Sequence, residues 1–400
     1  MTKISDFVKV RKESLSSRYL KQKVSAGHFI EDYMSGHIDL IADFKDLMRH
    51  KDEVWEYDFT ADHWKFFFTR FIPEVAIHSK EQDERIVRTH YDNKNDLFNW
   101  FLGPRMVYTT GFYKHGQENL EEAQDNKMDL IAQKLQFKAG ETMLDIGCGW
   151  GTFVMHAAKY YGMDATGITI AQAGADWGNN QIRENGVEHL ARIQRMDYRE
   201  IPHKLYDKIT CLEMAEHVGI KNFKKFMAQI YGMLKDDGMF YLQIAALRER
   251  ATPLWGPNQE DIVWGLFMNR YIFSGADASM PVNWDLKRIE SVGFEVHSVE
   301  NVGIHYSRTI DHWYQNWMRN QEKVLEKYGE YTFRMYQIFL GWSVEIARQG
   351  SSSAYQIVCH KNLNNYNRER FVNAVQFGEL NQFKQSKVTA PAFSEAMQEA

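Results

Sequence analysis

The sequence predicts an α/β fold: a mostly parallel sheet with helices on both faces, an N-terminal helical segment and an inserted lid. Three observations predict it. From Glu141 onward, short apolar runs alternate with helical stretches, the pattern of a sheet covered on both sides. The first run opens directly into a glycine-rich turn, Asp145 to Gly151, and then into a helix. With 44% hydrophobic and 14% aromatic residues among 400, the chain is able to bury a large core. Its length fits two to three domains of about 150 residues, or one large α/β unit with additions.

Taken in order, residues 1–95 carry helix-like periodicity and end in HWKFFFTRFIPEVAIHS. There Trp64, Phe67, Phe68, Phe71 and Ile72 recur at three- and four-residue spacing, which fits a core face. Lys65 and Arg70 among them leave open a helix lying in a lipid interface. Residues 96–362 form the α/β unit. Its strands are TMLDI, DATGITI, ARIQRM, DKITCLEM and GMFYLQIA, with a helix opening near Thr152 and another over KNFKKFMAQIYGML. A Trp- and Met-rich insertion over 250–291 interrupts the alternation and reads as the lid. FEVHSVE and SAYQIVCH then complete the sheet edge, and residues 363–400 form a polar tail.

Charge and composition exclude several classes. A net charge of −5, with no polybasic tract, argues against a nucleic-acid protein held by phosphate contacts. Mean hydropathy is −0.51, and no apolar run approaches the roughly 18 residues of a membrane span. The first residues, MTKISDFVKVRKESLSS, contain no apolar core of a secretory signal. Three scattered cysteines, Cys148, Cys211 and Cys359, suit neither a disulfide framework nor a zinc site. A cytoplasmic location, at most at a membrane surface, is the expectation. Nothing in the composition fixes an oligomeric state.

The turn Asp145-Ile146-Gly147-Cys148-Gly149-Trp150-Gly151 follows a strand and opens a helix. Gly147 and Gly149 allow a sharp turn and close approach to a ligand, which free N–H groups at the helix start would face. No Gly-Lys-Ser/Thr follows, so it is not a Walker loop, and the spacing departs from the dinucleotide fingerprint. LDIGCGWG resembles the first motif of class I S-adenosylmethionine-dependent methyltransferases, which have a Rossmann-like sheet. That resemblance implies S-adenosylmethionine as cofactor, with Asp145, Gly147, Gly149, Trp150 and Gly151 at its methionine part. It also implies Thr169 near the ribose and Asp197 and Tyr198 near the adenine. For Asp197 a plain strand-end cap is the competing reading.

HYDNKNDLFNWFLGPRMVYTTGFY, LDIGCGWG, CLEMAEHVG and IHYSRTIDHW together resemble the cyclopropane-fatty-acid and mycolic-acid cyclopropane synthase family. Within it, FLGPRMVYTTG, DWGNNQ, KITCLEMAEHVG, FYLQIAALR, WGLFMNRYIFSGADAS and HYSRTIDHWYQNW are similar to the fungal sphingolipid C9-methyltransferases. The resemblance implies methylation of a carbon–carbon double bond in a lipid, the sphingoid base of a sphingolipid before others. The fungal enzymes carry N-terminal transmembrane segments, and no such segment occurs in this sequence, so peripheral contact with the membrane is expected.

The cyclopropane synthases place a bicarbonate ion beside the cofactor methyl, held by Cys, Glu, His and Tyr. Glu216 and Tyr306 match two of these positions, while Thr110 and Gln243 stand at the other two. Thr supplies no thiolate and Gln does not titrate near neutrality. Tyr108 and Thr109 take the place of the pair that touches the cofactor carboxylate.

An isolated alkene is a weak nucleophile, so such a site must align it with the methyl and exclude water from the resulting cation. Tyr306, Trp264, Phe267 and Tyr271 are candidate aromatic walls, since ring faces attract cations without attacking them. Glu216, directly or through bicarbonate, is the expected base, with His217 beside it and Tyr306 orienting the ion. A base aimed at the new methyl closes a cyclopropane, whereas one aimed at a neighbouring carbon leaves a methyl-branched alkene. The changes at Thr110 and Gln243 favour the alkene. Open alternatives are a phospholipid cyclopropane synthase, a small-amine N-methyltransferase of the coclaurine type and a non-catalytic lipid- or cofactor-binding relative.

Overall fold

The computed structural model describes residues 2–71, 73, 94–249, 259–276, 278–364, 366 and 368–372. The N-terminal segment is less purely helical than its periodicity predicts. Strands β1 (Val8–Val10) and β3 (Ile38–Leu40) pair antiparallel, and β2 (Val24–Ser25) pairs parallel with β4 (Trp55–Glu56). Between them helices such as Ala26–Met34 bury Phe29, Ile30 and Tyr33.

The seven remaining strands are β5 (Thr142–Ile146), β6 (Asp164–Thr169), β7 (Ala191–Arg195), β8 (Tyr206–Leu212), β9 (Leu234–Leu247), β10 (Glu295–Asn301) and β11 (Ser352–His360). They form one sheet in the order β10-β11-β9-β8-β5-β6-β7. Pairs from β7 through β9 are parallel, while β11 runs antiparallel to both β9 and β10. All seven predicted strands are present. The last strand in sequence lies inside the sheet, between β9 and β10, and β10 takes the edge.

Pleating sends alternate side chains to opposite faces. In β9, Phe240, Leu242 and Ile244 join the cluster under the helices Ile220–Met233 and Val282–Glu290. Met239 and Tyr241 join the opposite cluster, against the helices Leu120–Lys134 and Thr152–Tyr161. Each such buried apolar side chain contributes about 1.5–3 kcal/mol.

A third cluster joins Phe29, Phe44 and Trp55 of the N-terminal segment to Phe101, Phe267, Trp313 and Trp342. The N-terminal segment therefore shares a core with the helices Gly303–Arg319 and Gln321–Gln349, and with Gln259–Tyr271 of the insertion. A buried ion pair fixes this junction. Lys51 Nζ donates to Glu260 Oε2 at 2.7 Å, and Trp342 Nε1 donates to Glu260 Oε1 at 3.1 Å.

The aromatic run divides in two. Trp64 and Phe68 are 48% and 61% exposed and stack on one another, beside exposed Lys65 and Arg70. A core face is thus the wrong reading for these two residues. Ile72, the lid's first residues 250–258 and most of the predicted tail, including 373–400, lie outside the described residues. No helix among the described residues is long and apolar enough to cross a membrane.

Candidate functional site

A cavity opens at the carboxyl ends of β5, β6 and β8, the crevice where open α/β sheets bind ligands. Gly147, Gly149 and Gly151 all take positive φ, so the chain turns tightly from β5 into the helix Thr152–Tyr161. At Gly151, φ is +74°, and a Cβ would come within 1.9 Å of Ile193 Cδ1. Gly151 is therefore a packing residue and does not line the cavity, unlike Gly147 and Gly149.

The other predicted cofactor residues, Tyr108, Thr109, Asp145, Trp150, Thr169, Asp197 and Tyr198, all line this cavity. Trp150 Nε1 donates to Asn95 Oδ1 at 2.8 Å, tying the glycine turn to the helix Asn95–Leu102. Asp145 accepts from Thr210 Oγ1 at 2.7 Å, and burial pushes its carboxyl up to about 6. Asp197 Oδ1 accepts from the backbone N–H of Arg199 at 2.8 Å, so it is a cap and a cavity residue together.

Sequence reasoning missed Lys127. It is 1% exposed, lines the cavity and donates to Thr109 Oγ1 at 2.5 Å. Burial lowers its ammonium to about 8. A buried cation beside Thr109, a glycine turn and a carboxylate at the far strand end fit a zwitterionic amino-acid nucleoside.

Deeper in, four residues distant in sequence meet. Glu213 follows β8 with a left-handed backbone, φ +58°, and its N–H donates to the Gln243 carbonyl at 2.8 Å. Its carboxylate accepts from Gln243 Nε2 at 2.6 Å and from Tyr306 Oη at 2.7 Å. The Thr110 backbone N–H lies 3.5 Å away, at the limit of a hydrogen bond. The donors that the resemblance gives to a bicarbonate ion are thus turned onto a carboxylate of the chain itself.

Three expectations need correction. The Tyr306 hydroxyl donates to Glu213 and not to Glu216. The Thr110 hydroxyl donates to the Gly111 carbonyl at 2.9 Å, so only the Thr110 backbone faces the site. The third concerns the aromatic walls. Phe267 and Tyr271 belong to the N-terminal junction, with Tyr271 Oη on Glu31 and Phe267 against Trp342, and Trp264 packs in the same cluster. Of the rings, Tyr108 lines the cavity, as do Trp150, Phe153 and Tyr198, while Phe273 and Trp313 pack against Tyr108 with centroids 5.7 and 5.4 Å away and Tyr306 lies 6.0 Å from Trp313.

Glu216 sits just behind the cavity lining. Its Oε1 accepts from the Ala245 N–H at 2.6 Å and its Oε2 has no hydrogen-bond partner among the described residues. Burial first, and the neighbouring Glu213 second, push its carboxyl up to about 8. His217 does line the cavity, with Phe273 at 6.5 Å.

The family model "Mycolic acid cyclopropane synthetase" matches residues 78–357. The sphingolipid C9-methyltransferase of Komagataella phaffii is 44% identical over 92% of this chain and 77% of its own. Sphingolipid C9-methyltransferase B of Emericella nidulans is 46% identical over 92% of this chain and 71% of its own. Among solved structures, a cyclopropane synthase from Mycobacterium tuberculosis superposes with a TM-score of 0.65 at 24% identity, covering 70% of this chain and 98% of that one. A mycolic acid cyclopropane synthase complexed with SAH and CTAB gives 0.66 at 24% identity, over 72% and 100%. At that identity the two structures speak to the fold alone. Matched over most of its length by the family model and by curated methyltransferases, the chain belongs to the mycolic acid cyclopropane synthetase family of S-adenosylmethionine-dependent methyltransferases.

Proposed function

We propose that this protein methylates C9 of the sphingoid base of a sphingolipid, leaving the product with its double bond. The observation that carries the reading is a cofactor-type cavity leading to a buried carboxylate, in a chain 44–46% identical to C9-methyltransferases. In this reading Gly147, Gly149, Tyr108, Thr109 and Lys127 hold the amino-acid part of S-adenosylmethionine, Thr169 its ribose and Asp197 and Tyr198 its adenine. Bound there, S-adenosylmethionine supplies an electrophilic methyl group.

The chain's own contribution is enclosure and charge placement. Tyr108, which lines the cavity, and Phe273, Trp313 and Tyr306 packed in series with it exclude water and supply π density to a cation forming on the alkene. Trp64 and Phe68, flanked by Lys65 and Arg70, rest on a lipid surface and bring the cavity to a membrane-borne substrate. The segment that carries these rings packs on the insertion, with the Arg270 guanidinium of the insertion helix 5.9 Å from the Phe66 ring.

Purified protein with labelled cofactor is incubated with glucosylceramide, free sphingoid base, unsaturated phospholipid and an alkaloid amine. Transfer to a sphingoid lipid, with a methyl-branched alkene in the proton spectrum, is the expected result. A high-field cyclopropane methylene signal, or transfer to the amine alone, refutes it. Tight cofactor binding without transfer to any acceptor identifies a binding protein instead.

A further inference from the structure

We propose that Glu213 is the general base of the reaction, held as a carboxylate by a one-way chain of hydrogen bonds that starts at Lys134. The proposal rests on the reading above and adds the residue that decides the product.

The polarity of the chain is fixed at its start. Lys134, 3% exposed, is a donor only, and its Nζ donates to Gln356 Oε1 at 2.9 Å as well as to Glu300. With its oxygen so occupied, Gln356 points its amide nitrogen at Gln243 Oε1, 3.5 Å away, its partner across the β9–β11 ladder. Gln243 must then turn its own amide nitrogen to Glu213, where the contact is 2.6 Å. Every group in the series donates forward, so the last must accept. Tyr306 Oη adds a second donor to the other carboxylate oxygen. Burial pushes the Glu213 carboxyl above its ordinary value, and the two donors, with the Lys127 charge, oppose that rise and favour the ionised form.

Position completes the argument. Glu213 lines the cofactor cavity, whereas Glu216 does not. A non-glycine residue at φ +58° is uncommon, and here that backbone puts the carboxylate among its donors. In the step proposed, the carbon that has gained the methyl gives its hydrogen to a Glu213 oxygen as a proton. The electrons of that C–H bond restore the double bond, and the proton leaves Glu213 to solvent after product release.

Two variants test it. Glu213→Gln keeps the shape and removes the base. Glu213→Gly suits the backbone, since glycine adopts φ +58° without strain, and empties the space between Gln243 and Tyr306. Both should bind S-adenosylmethionine as the wild type does, measured by calorimetry, and lose about 100-fold or more in methyl transfer. Formate should restore transfer to Glu213→Gly and not to Glu213→Gln. Without cofactor, formate should also raise the melting temperature of Glu213→Gly and not that of the wild type, reporting anion binding in the vacated space.

Transfer above a tenth of the wild-type rate in Glu213→Gln overturns the proposal. So does a Glu213→Gly protein that formate neither stabilises nor reactivates, or loss of transfer in His217→Asn alone. If the wild type methylates no sphingoid lipid, it is the functional reading that fails, and the formate-induced stabilisation still reports on the site.

Discussion

Glu213 and Glu216 lie three residues apart and are both buried, yet the chain treats them differently. Glu213 accepts from two side chains, whereas Glu216 accepts one backbone N–H and stands next to the charge of Glu213. Its folded-state carboxyl is raised from 4.5 to about 8 by burial and by Glu213. When unfolded, Glu216 ionises near its ordinary value, so between these two limits the folded state holds the extra proton. Stability attributable to neutral Glu216 is therefore full below about pH 4.5 and is lost progressively as the pH rises to about 8. Glu216→Gln stays neutral throughout. Its unfolding free energy should match the wild type near pH 4.5 and exceed it increasingly up to pH 8, by a gap on the order of a few kcal/mol that raises the melting temperature in step. Thermal scans across that range check it, and a gap that is flat or shrinks with pH rules out a neutral Glu216. The residue pattern EMAEH shows two carboxylates without saying which one faces the cavity. That is settled by the left-handed turn at Glu213, which no glycine or asparagine announces, and by donors on β9 and on a helix some 90 residues further on.

Elements were more legible than residues. Most strands of the sheet are short apolar runs between helical stretches, and the period change marks them. The glycine turn was legible too, because glycine is the residue a positive φ selects. Strand order was not, since local pattern carries no record of β11 entering between β9 and β10. That insertion places Gln356 against Gln243 and Lys134 behind both. The lid aromatics Trp264, Phe267 and Tyr271 were misplaced for a related reason: their spacing says one face is apolar but not which partner covers it. At the glycine turn the packing of the next helix is equally close. A Cβ on Gly174 would lie 2.7 Å from the Gly149 carbonyl oxygen, forcing the helix Gln172–Glu184 away from the turn. Gly174→Ala should weaken S-adenosylmethionine binding about tenfold or more while costing about 1–3 kcal/mol of stability. Calorimetric titration and urea unfolding measure the two effects, and unchanged cofactor affinity would show that the turn tolerates displacement.

At the scale of the molecule, the N-terminal segment and the insertion helix pack as one apolar body, locked by the Lys51–Glu260 pair, and Ser274 and Gly275 just after that helix line the cavity. Its outer side carries Trp64 and Phe68, exposed and stacked with centroids 5.9 Å apart, beside Lys65 and Arg70. Water-exposed rings of this size are costly unless something covers them, and basic residues beside them suit the anionic surface of a bilayer. Substrate embedded in that bilayer would then meet the cavity without leaving the lipid. Replacing both rings, as Trp64→Ser with Phe68→Ser, removes much of the apolar contact while leaving the buried junction untouched. Sedimentation with vesicles containing anionic phospholipid should show at least about tenfold weaker binding for the double variant, consistent with about 1.5–3 kcal/mol for each large ring. Methyl transfer to vesicle-borne substrate should fall in proportion, while transfer to the same lipid dispersed in detergent stays near the wild-type rate. Equal vesicle binding by the two proteins would leave the stripe without a membrane role, and equal loss in vesicles and detergent would make it part of the cavity.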